Sequence, residues 1–185
     1  MDKFVSRAGE KLEFALKEFE VDVKGKVVSD FGSSTGGFVD CLLNSGAEKV
    51  YSVDTSYGEL AWKLRQDKRV VVMERTNAMH VTLPEKVDVL TIDTSWTKQE
   101  KVIENAFKNL KAGGIIISLI KPHYEAERIY LEKGKLKEEF IEEILEKVKQ
   151  DIKNSGGNVL KTVESPILGE KGKNREFLFK IQQDR

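Results

Sequence analysis

The chain has 185 residues, 39% of them hydrophobic and 34% charged, and its 31 basic and 31 acidic side chains cancel. That length buries a full core in one domain without staples, and a formal net charge of zero means that a nucleic-acid partner must be met by a local basic patch. One cysteine, Cys41, excludes an internal disulfide and fits a reducing cytoplasm, no signal peptide is visible, and the most apolar stretch, Gly114 to Ile120, is far too short to span a bilayer.

Residues 6–19 predict an opening helix, with Ser6 as N-cap and Ala8, Leu12, Ala15, Leu16 and Phe19 at helical spacing. Lys11 lies at the edge of that stripe, where its stem can pack while its ammonium enters a cleft. A turn at Lys24-Gly25 leads to a strand through Val27, Val28 and Phe31, and a helix over 38–45 is stopped by Gly46. Short buried strands follow at 50–53, 70–73, 87–93 and 115–120, with helices near 58–66 and 99–110. Lys111-Ala112-Gly113-Gly114 reads as a helix stop. Residues 136–153 form the clearest amphipathic helix, with Phe140, Ile141, Ile144, Leu145, Val148 and Ile152 on one face and a solvated charge run on the other. Two last strands, about 158–164 and 176–181, flank a loop from Ser165 to Asn174. Such alternation implies an α/β fold, a mostly parallel Rossmann-like sheet of about seven strands with helices on both faces. That is the strand count of the S-adenosylmethionine (SAM)-dependent methyltransferase sheet. No repeat or linker divides the chain, so residues 1–185 read as a single domain.

The most informative stretch is Asp30-Phe31-Gly32-Ser33-Ser34-Thr35-Gly36-Gly37-Phe38. A strand, a glycine-rich turn and a helix in that order bring backbone N–H groups close to a cofactor. The turn is G-x-x-x-G-G, not the G-x-G-x-x-G of dinucleotide enzymes nor a phosphate-binding G-x-x-x-x-G-K-[ST]. Asp30 stands where SAM enzymes commonly hold the methionine part of the cofactor. Asp54, followed by Thr55, closes the next strand roughly 20 residues on, where a carboxylate can accept both ribose hydroxyls. Asn77 follows the third strand, a place from which methyltransferases contact adenine.

Four charged residues stand at element ends that a sheet's carboxyl edge would gather: Lys11, Asp93, Lys121 and Glu176. Buried strands that run straight into an ionisable group, as in Leu90-Thr91-Ile92-Asp93 and Leu119-Ile120-Lys121, deliver that group to a site. Ser6-Arg7-Ala8-Gly9-Glu10-Lys11-Leu12, the glycine turn, residues 51–65, Glu74-Arg75-Thr76-Asn77 and Ile120-Lys121-Pro122-His123-Tyr124-Glu125-Ala126 together resemble the haemolysin A (TlyA-type) proteins, similar to FtsJ-like ribose 2′-O-methyltransferases. The resemblance covers nearly the whole chain. It implies SAM as cofactor, RNA (ribosomal RNA or a ribosomal subunit) as partner, a cytoplasmic location and no metal. It also implies a Lys–Asp–Lys–Glu catalytic tetrad, matched here by Lys11, Asp93, Lys121 and Glu176. TlyA-type proteins usually begin with an S4-type RNA-binding domain, and this chain starts just after where that domain would end. Thr94-Ser95-Trp96-Thr97 departs from the family's Val-Ser-Phe pattern.

A ribose hydroxyl is a weak acid, so its attack on a sulfonium methyl needs a base or strong hydrogen bonding to the oxygen. Lys121 is the expected central group, either neutral and accepting the proton or charged and orienting a lone pair. Lys11 and burial would lower its pKa, and Asp93 and Glu176 would raise it. Trp96 is the best candidate for base stacking, with Tyr57 and Tyr124 behind it, while Trp62 reads as core. Lys63, Arg65, Lys68 and Arg69 form one basic cluster and Lys171, Lys173 and Arg175 another, each able to meet phosphates. His80 and His123 lack metal-ligand spacing with Cys41, which reads as buried and inert. The competing readings are a base-nitrogen or small-molecule methyltransferase, a non-catalytic SAM- or RNA-binding assembly protein, and an NAD-linked oxidoreductase. The first lacks the paired prolines of D-P-P-Y, and the last has the wrong glycine pattern.

Overall fold

The computed structural model describes residues 3–95, 97–170 and 172–184. Helices and strands alternate through α1 (Ala8–Glu18), β1 (Val27–Phe31), α2 (Gly37–Asn44), β2 (Lys49–Val53), α3 (Trp62–Arg65), β3 (Val70–Met73), β4 (Val87–Ile92), α4 (Gln99–Lys108), β5 (Leu110–Ile120) and α5 (Pro122–Glu125). A small hairpin of β6 (Leu131–Glu132) and β7 (Lys135–Leu136) follows, then α6 (Ile141–Asn154), β8 (Gly157–Glu164) and β9 (Phe177–Gln183). Seven strands form one sheet in the order β3-β2-β1-β4-β5-β9-β8. The first five are parallel, and β9 runs antiparallel to both its neighbours. The order reverses between β1 and β4, so their carboxyl ends border the crevice where ligands of open α/β sheets bind.

The central strands are apolar on both faces because both faces are covered. On one side Leu12, Ala15 and Leu16 of α1 pack with Phe38 and Leu42 of α2 and with Leu64. On the other, Val102, Ile103 and Phe107 of α4 meet Ile144, Leu145 and Val148 of α6. Each such fully buried aliphatic side chain stabilises the fold by about 1.5–3 kcal/mol. No helix among the described residues is long and apolar enough to cross a membrane.

Several elements differ from expectation. The opening helix starts at Ala8 and ends at Glu18, inside the expected 6–19, and Arg7, with no side-chain cap, takes the N-cap place given to Ser6. The Ser6 carbonyl accepts the Gly9 N–H at 3.1 Å, and its hydroxyl is wedged against Gly37, where a Cβ would come within 2.2 Å of it. Ser6 thus serves the approach of α1 to α2. Trp62 is 73% exposed, not core, because α3 is a single turn whose inner space Leu60 and Leu64 already fill. The stop at 111–114 is instead the start of β5, whose Leu110 pairs with Val87. The last helix begins at Ile141 after a 3₁₀ turn over Glu138–Phe140.

Candidate active site

The glycine turn is shaped by how closely β1 and β4 approach beyond the sheet. Gly32 has φ +88°, and a Cβ there would lie 2.5 Å from the Asp93 carbonyl oxygen, so only glycine fits. Its N–H donates to the Val53 carbonyl at 2.8 Å, and the Asp93 N–H donates to Phe31 at 2.9 Å. Asp54 ties the turn to β2, accepting the Ser34 N–H at 2.7 Å and the Ser56 N–H at 2.7 Å. Gly36, at φ +100°, faces Leu60 and Leu64 and opens helix α2; it lines neither cavity described below.

Two cavities meet at this edge and share Gly32, Ser34, Asp93 and Ser95 as their common wall. The smaller, about 250 Å³, is lined by Asp54, Thr55 and Asn77 with the apolar Ala78, Met79 and Val102. The larger, about 570 Å³, holds Lys11, Asp30, Ser33, Gly37, Phe38, Lys121 and Glu176. All four charged residues read from the sequence therefore reach one cleft. Lys121 Nζ lies 2.5 Å from Asp93 Oδ1, and Lys11 Nζ lies 2.5 Å from Glu176 Oε2.

Burial pulls Lys121 down, but the Asp93 charge and hydrogen bond, with Glu176 and Tyr124 adding, more than offset it and hold the ammonium above its ordinary pKa. The carboxylates win the contest that the sequence left open, and Lys121 is charged at rest. Asp30 is 1% exposed. Its Oδ1 accepts the Thr91 hydroxyl at 2.7 Å, while Oδ2 is buried with no hydrogen-bond partner among the described residues. Burial pushes this carboxyl up to about 7. A buried acceptor with one oxygen unsatisfied fits a cationic amine, and a neighbouring cavity with a carboxylate at one end and apolar walls fits a ribose and a purine. Asp30, Asp54 and the apolar Ala78, Met79 and Val102 are therefore the residues that could hold SAM.

Other expected site residues divide. Lys63 pairs with Asp40 at 2.8 Å, Arg65 with Glu74, and Arg69 with Asp67 at 2.7 Å, so three of that cluster's four cations are committed to carboxylates, and exposed Lys68 has no ion pair among the described residues. Arg175 is held by Glu164 at 2.7 Å and Glu138 at 2.8 Å. Trp96 and Lys171 lie outside the described residues. Tyr57 is exposed and carries the Arg75 guanidinium 4.4 Å from its ring centre. Cys41 is buried, and desolvation pushes its thiol up to about 12, which suits packing and not nucleophilic attack.

Sequence reasoning passed over Arg7, His123 and Glu170, which also line the larger cleft. His123 was weighed only as a metal ligand; here it is half-buried, and burial with the Lys121 charge lowers it to about 4, so it is neutral. A buried latch was also illegible: Glu125 accepts the Gln99 N–H at 3.0 Å and Gln99 accepts the Ser118 hydroxyl at 2.6 Å. It joins the start of α4 to the segment after Lys121. The signal for Arg7 and His123 was their place inside the quoted motifs, and for the latch there was none.

The model of the FtsJ-like methyltransferase family matches residues 4–182. Hemolysin A of Brachyspira hyodysenteriae is 42% identical over 95% of this chain and 75% of its own length. The 16S/23S rRNA (cytidine-2′-O)-methyltransferase TlyA of Mycobacterium tuberculosis is 42% identical over 66% of this chain, and the match spans 47% of that relative. A solved structure described as a "putative hemolysin" from Streptococcus thermophilus superposes with a TM-score of 0.95 at 36% identity, covering all of this chain and 68% of that one. With a family model spanning residues 4–182 and a relative 42% identical over 95% of this sequence, the chain belongs to the FtsJ-like methyltransferase family.

Proposed function

We propose that residues 1–185 act as one catalytic domain that transfers a methyl group from SAM to a ribose 2′-hydroxyl of ribosomal RNA, in the cytoplasm where ribosomes assemble. The observation that carries this reading is the double pairing in one cleft: Lys121 with Asp93, and Lys11 with Glu176, each at 2.5 Å. Both lie beside the cavity suited to a nucleoside.

SAM supplies an electrophilic methyl on a sulfonium. The chain's own residues do the rest. Lys121, charged at rest, donates to the incoming 2′-oxygen and orients a lone pair toward the methyl. Asp93 fixes that ammonium by its hydrogen bond, and the Lys11–Glu176 pair bounds the other side of the cleft and sets the local charge. The 2′-hydroxyl proton would leave to Asp93 or to water as the oxygen–carbon bond forms and the carbon–sulfur bond breaks, the sulfur departing as a neutral thioether. Much of the rate then comes from holding the reactants in line. Support for an rRNA substrate comes from the TlyA relative, whose name specifies rRNA cytidine 2′-O-methylation.

The test is incubation with labelled SAM and ribosomal subunits, followed by nucleoside analysis. A 2′-O-methyl nucleoside supports the reading. A base-methylated nucleoside, or no product from either subunit or from free rRNA, ends it.

A further inference from the structure

Beside the cleft, two loops are built into one unit. Asn174, 3% exposed, accepts the Leu136 N–H at 3.1 Å and donates from Nδ2 to the Gly134 carbonyl at 3.2 Å. Its neighbour Arg175 clasps Glu138, just beyond β7, and Glu164, at the end of β8. The hairpin β6–β7 and the loop 165–175 are thus pinned at successive residues. The same loop reaches the catalytic cleft: the Gly169 N–H donates to the Asn174 carbonyl at 2.9 Å, a Cβ on Gly169 would lie 2.6 Å from Glu176 Oε1, and Glu170 lines the cleft.

The tips of this unit carry lysine where the backbone disfavours it. The hairpin turns through Lys133 at φ +49° and Gly134 at φ +80°, and the facing turn passes through Gly172 at φ +73° and Lys173 at φ +51°. Asparagine or glycine is the usual occupant of left-handed turn positions, and a long side chain there is strained. Lys133, Lys135 and Lys173 are exposed, and none has an ion pair among the described residues. The acidic residues nearest them in the chain are Glu132, Glu138, Glu170 and Glu176, of which Glu138 is taken by Arg175 and Glu176 by Lys11. Other exposed lysines, such as Lys68 and Lys108, also have no ion pair among the described residues; Lys133 and Lys173 are set apart by their left-handed turn positions on the loops pinned beside the cleft.

We propose that the pinned pair of loops grips the RNA backbone next to the target ribose, with Lys133, Lys135 and Lys173 meeting phosphates. The inference rests on the RNA-methyltransferase reading and adds to it the surface that holds the strand. A polyanion is the partner that unpaired cations on two apposed tips complement, and the unit's continuity with Glu176 sets the strand beside the cleft. The left-handed lysines are explained in the same way, as charge placed at a turn despite its backbone cost.

The test compares the unaltered protein with a Lys133→Asn/Lys173→Asn double variant. Both are measured for binding to labelled polycytidylate across a salt series, for SAM binding, for melting temperature and for rRNA methylation. Two lost single-strand contacts should make the slope of log K against log salt shallower by about 1.4, at ~0.7 each, and weaken binding roughly 10- to 30-fold near 0.1 M salt. SAM affinity should be unchanged, and the melting temperature unchanged or higher, because asparagine tolerates a positive φ better. Equal affinity and slope for the two proteins would overturn the proposal while leaving the function standing, provided the unaltered protein methylates rRNA. A lower melting temperature with proportionate loss of SAM binding would also overturn it, since the lysines would then be structural. If the unaltered protein neither binds polycytidylate nor methylates rRNA, the proposal and the function fall together; if it methylates rRNA without binding polycytidylate, the proposal alone falls.

Discussion

At the scale of single residues, the chemistry turns on which charges are paired and which are left wanting. Lys121 is held charged by Asp93, so Lys121→Ala should cut methyl transfer by at least about 100-fold. SAM affinity should stay within about twofold, as checked by calorimetry beside single-turnover kinetics. Full activity in that variant would remove the lysine from the reaction. Asp30 has the opposite character, a buried carboxyl raised to about 7 by desolvation. A raised carboxyl pKa means that the folded state keeps the proton that the unfolded chain loses near 3.8. Its contribution therefore favours folding at low pH and is lost as pH rises from about 4 to about 7. Glu125, raised by burial to about 7, adds in the same direction. The melting temperature of the unliganded protein should fall across that window, and Asp30→Asn should flatten the curve. A cationic amine binds the ionised form, so SAM affinity should be about fivefold weaker at pH 6 than at about pH 7.5, where the carboxyl is mostly ionised and an α-amine is still mostly protonated. Asp30 was legible from its place at a strand's end. Its empty acceptor was not, because an unsatisfied atom is a property of surroundings contributed by β4.

At the scale of elements, the glycine turn illustrates how local conformation and a distant strand jointly choose a residue. Gly32 is needed both for its left-handed φ and for the Asp93 carbonyl 2.5 Å from where a Cβ would stand. Gly32→Ala should cost about 1–3 kcal/mol in denaturant melts and weaken SAM binding at least tenfold. An unchanged SAM affinity would mean that the turn's shape does not govern the site. The sequence pattern located β1, β2, β3 and β4 within one residue at each end, since apolar runs bounded by charge or glycine leave little choice. It missed α5 and the β6–β7 hairpin because four-residue and two-residue elements are too short to carry a period. It misread Trp62 because a helical stripe over 58–66 was assumed where the helix spans one turn.

At the scale of the whole protein, the Lys11–Glu176 contact joins groups 165 residues apart and ties α1 to the start of β9. Both side chains are nearly buried. Removing either partner alone should be strongly destabilising, by about 3–5 kcal/mol, because it strands a buried charge. Lys11→Met combined with Glu176→Leu should recover much of that loss, and urea melts of the four proteins in a double-mutant cycle would show it. Additive losses would mean that the pair is not coupled and that the cleft is held by packing alone.

The sequence by itself determined the alternating pattern, hence the parallel sheet, the glycine turn at its crevice and four ionisable groups at element ends. Those features follow from periodicity and backbone geometry, which act between near neighbours. Tertiary structure alone decided who pairs with whom: that Asp93 takes Lys121 and Glu176 takes Lys11, that Asp30 keeps one acceptor unmet, and that Lys63, Arg65, Arg69 and Arg175 are neutralised while the hairpin lysines are not. Coulomb and desolvation energies depend on distances between chain-remote groups, and those distances exist only once the sheet order β3-β2-β1-β4-β5-β9-β8 is formed.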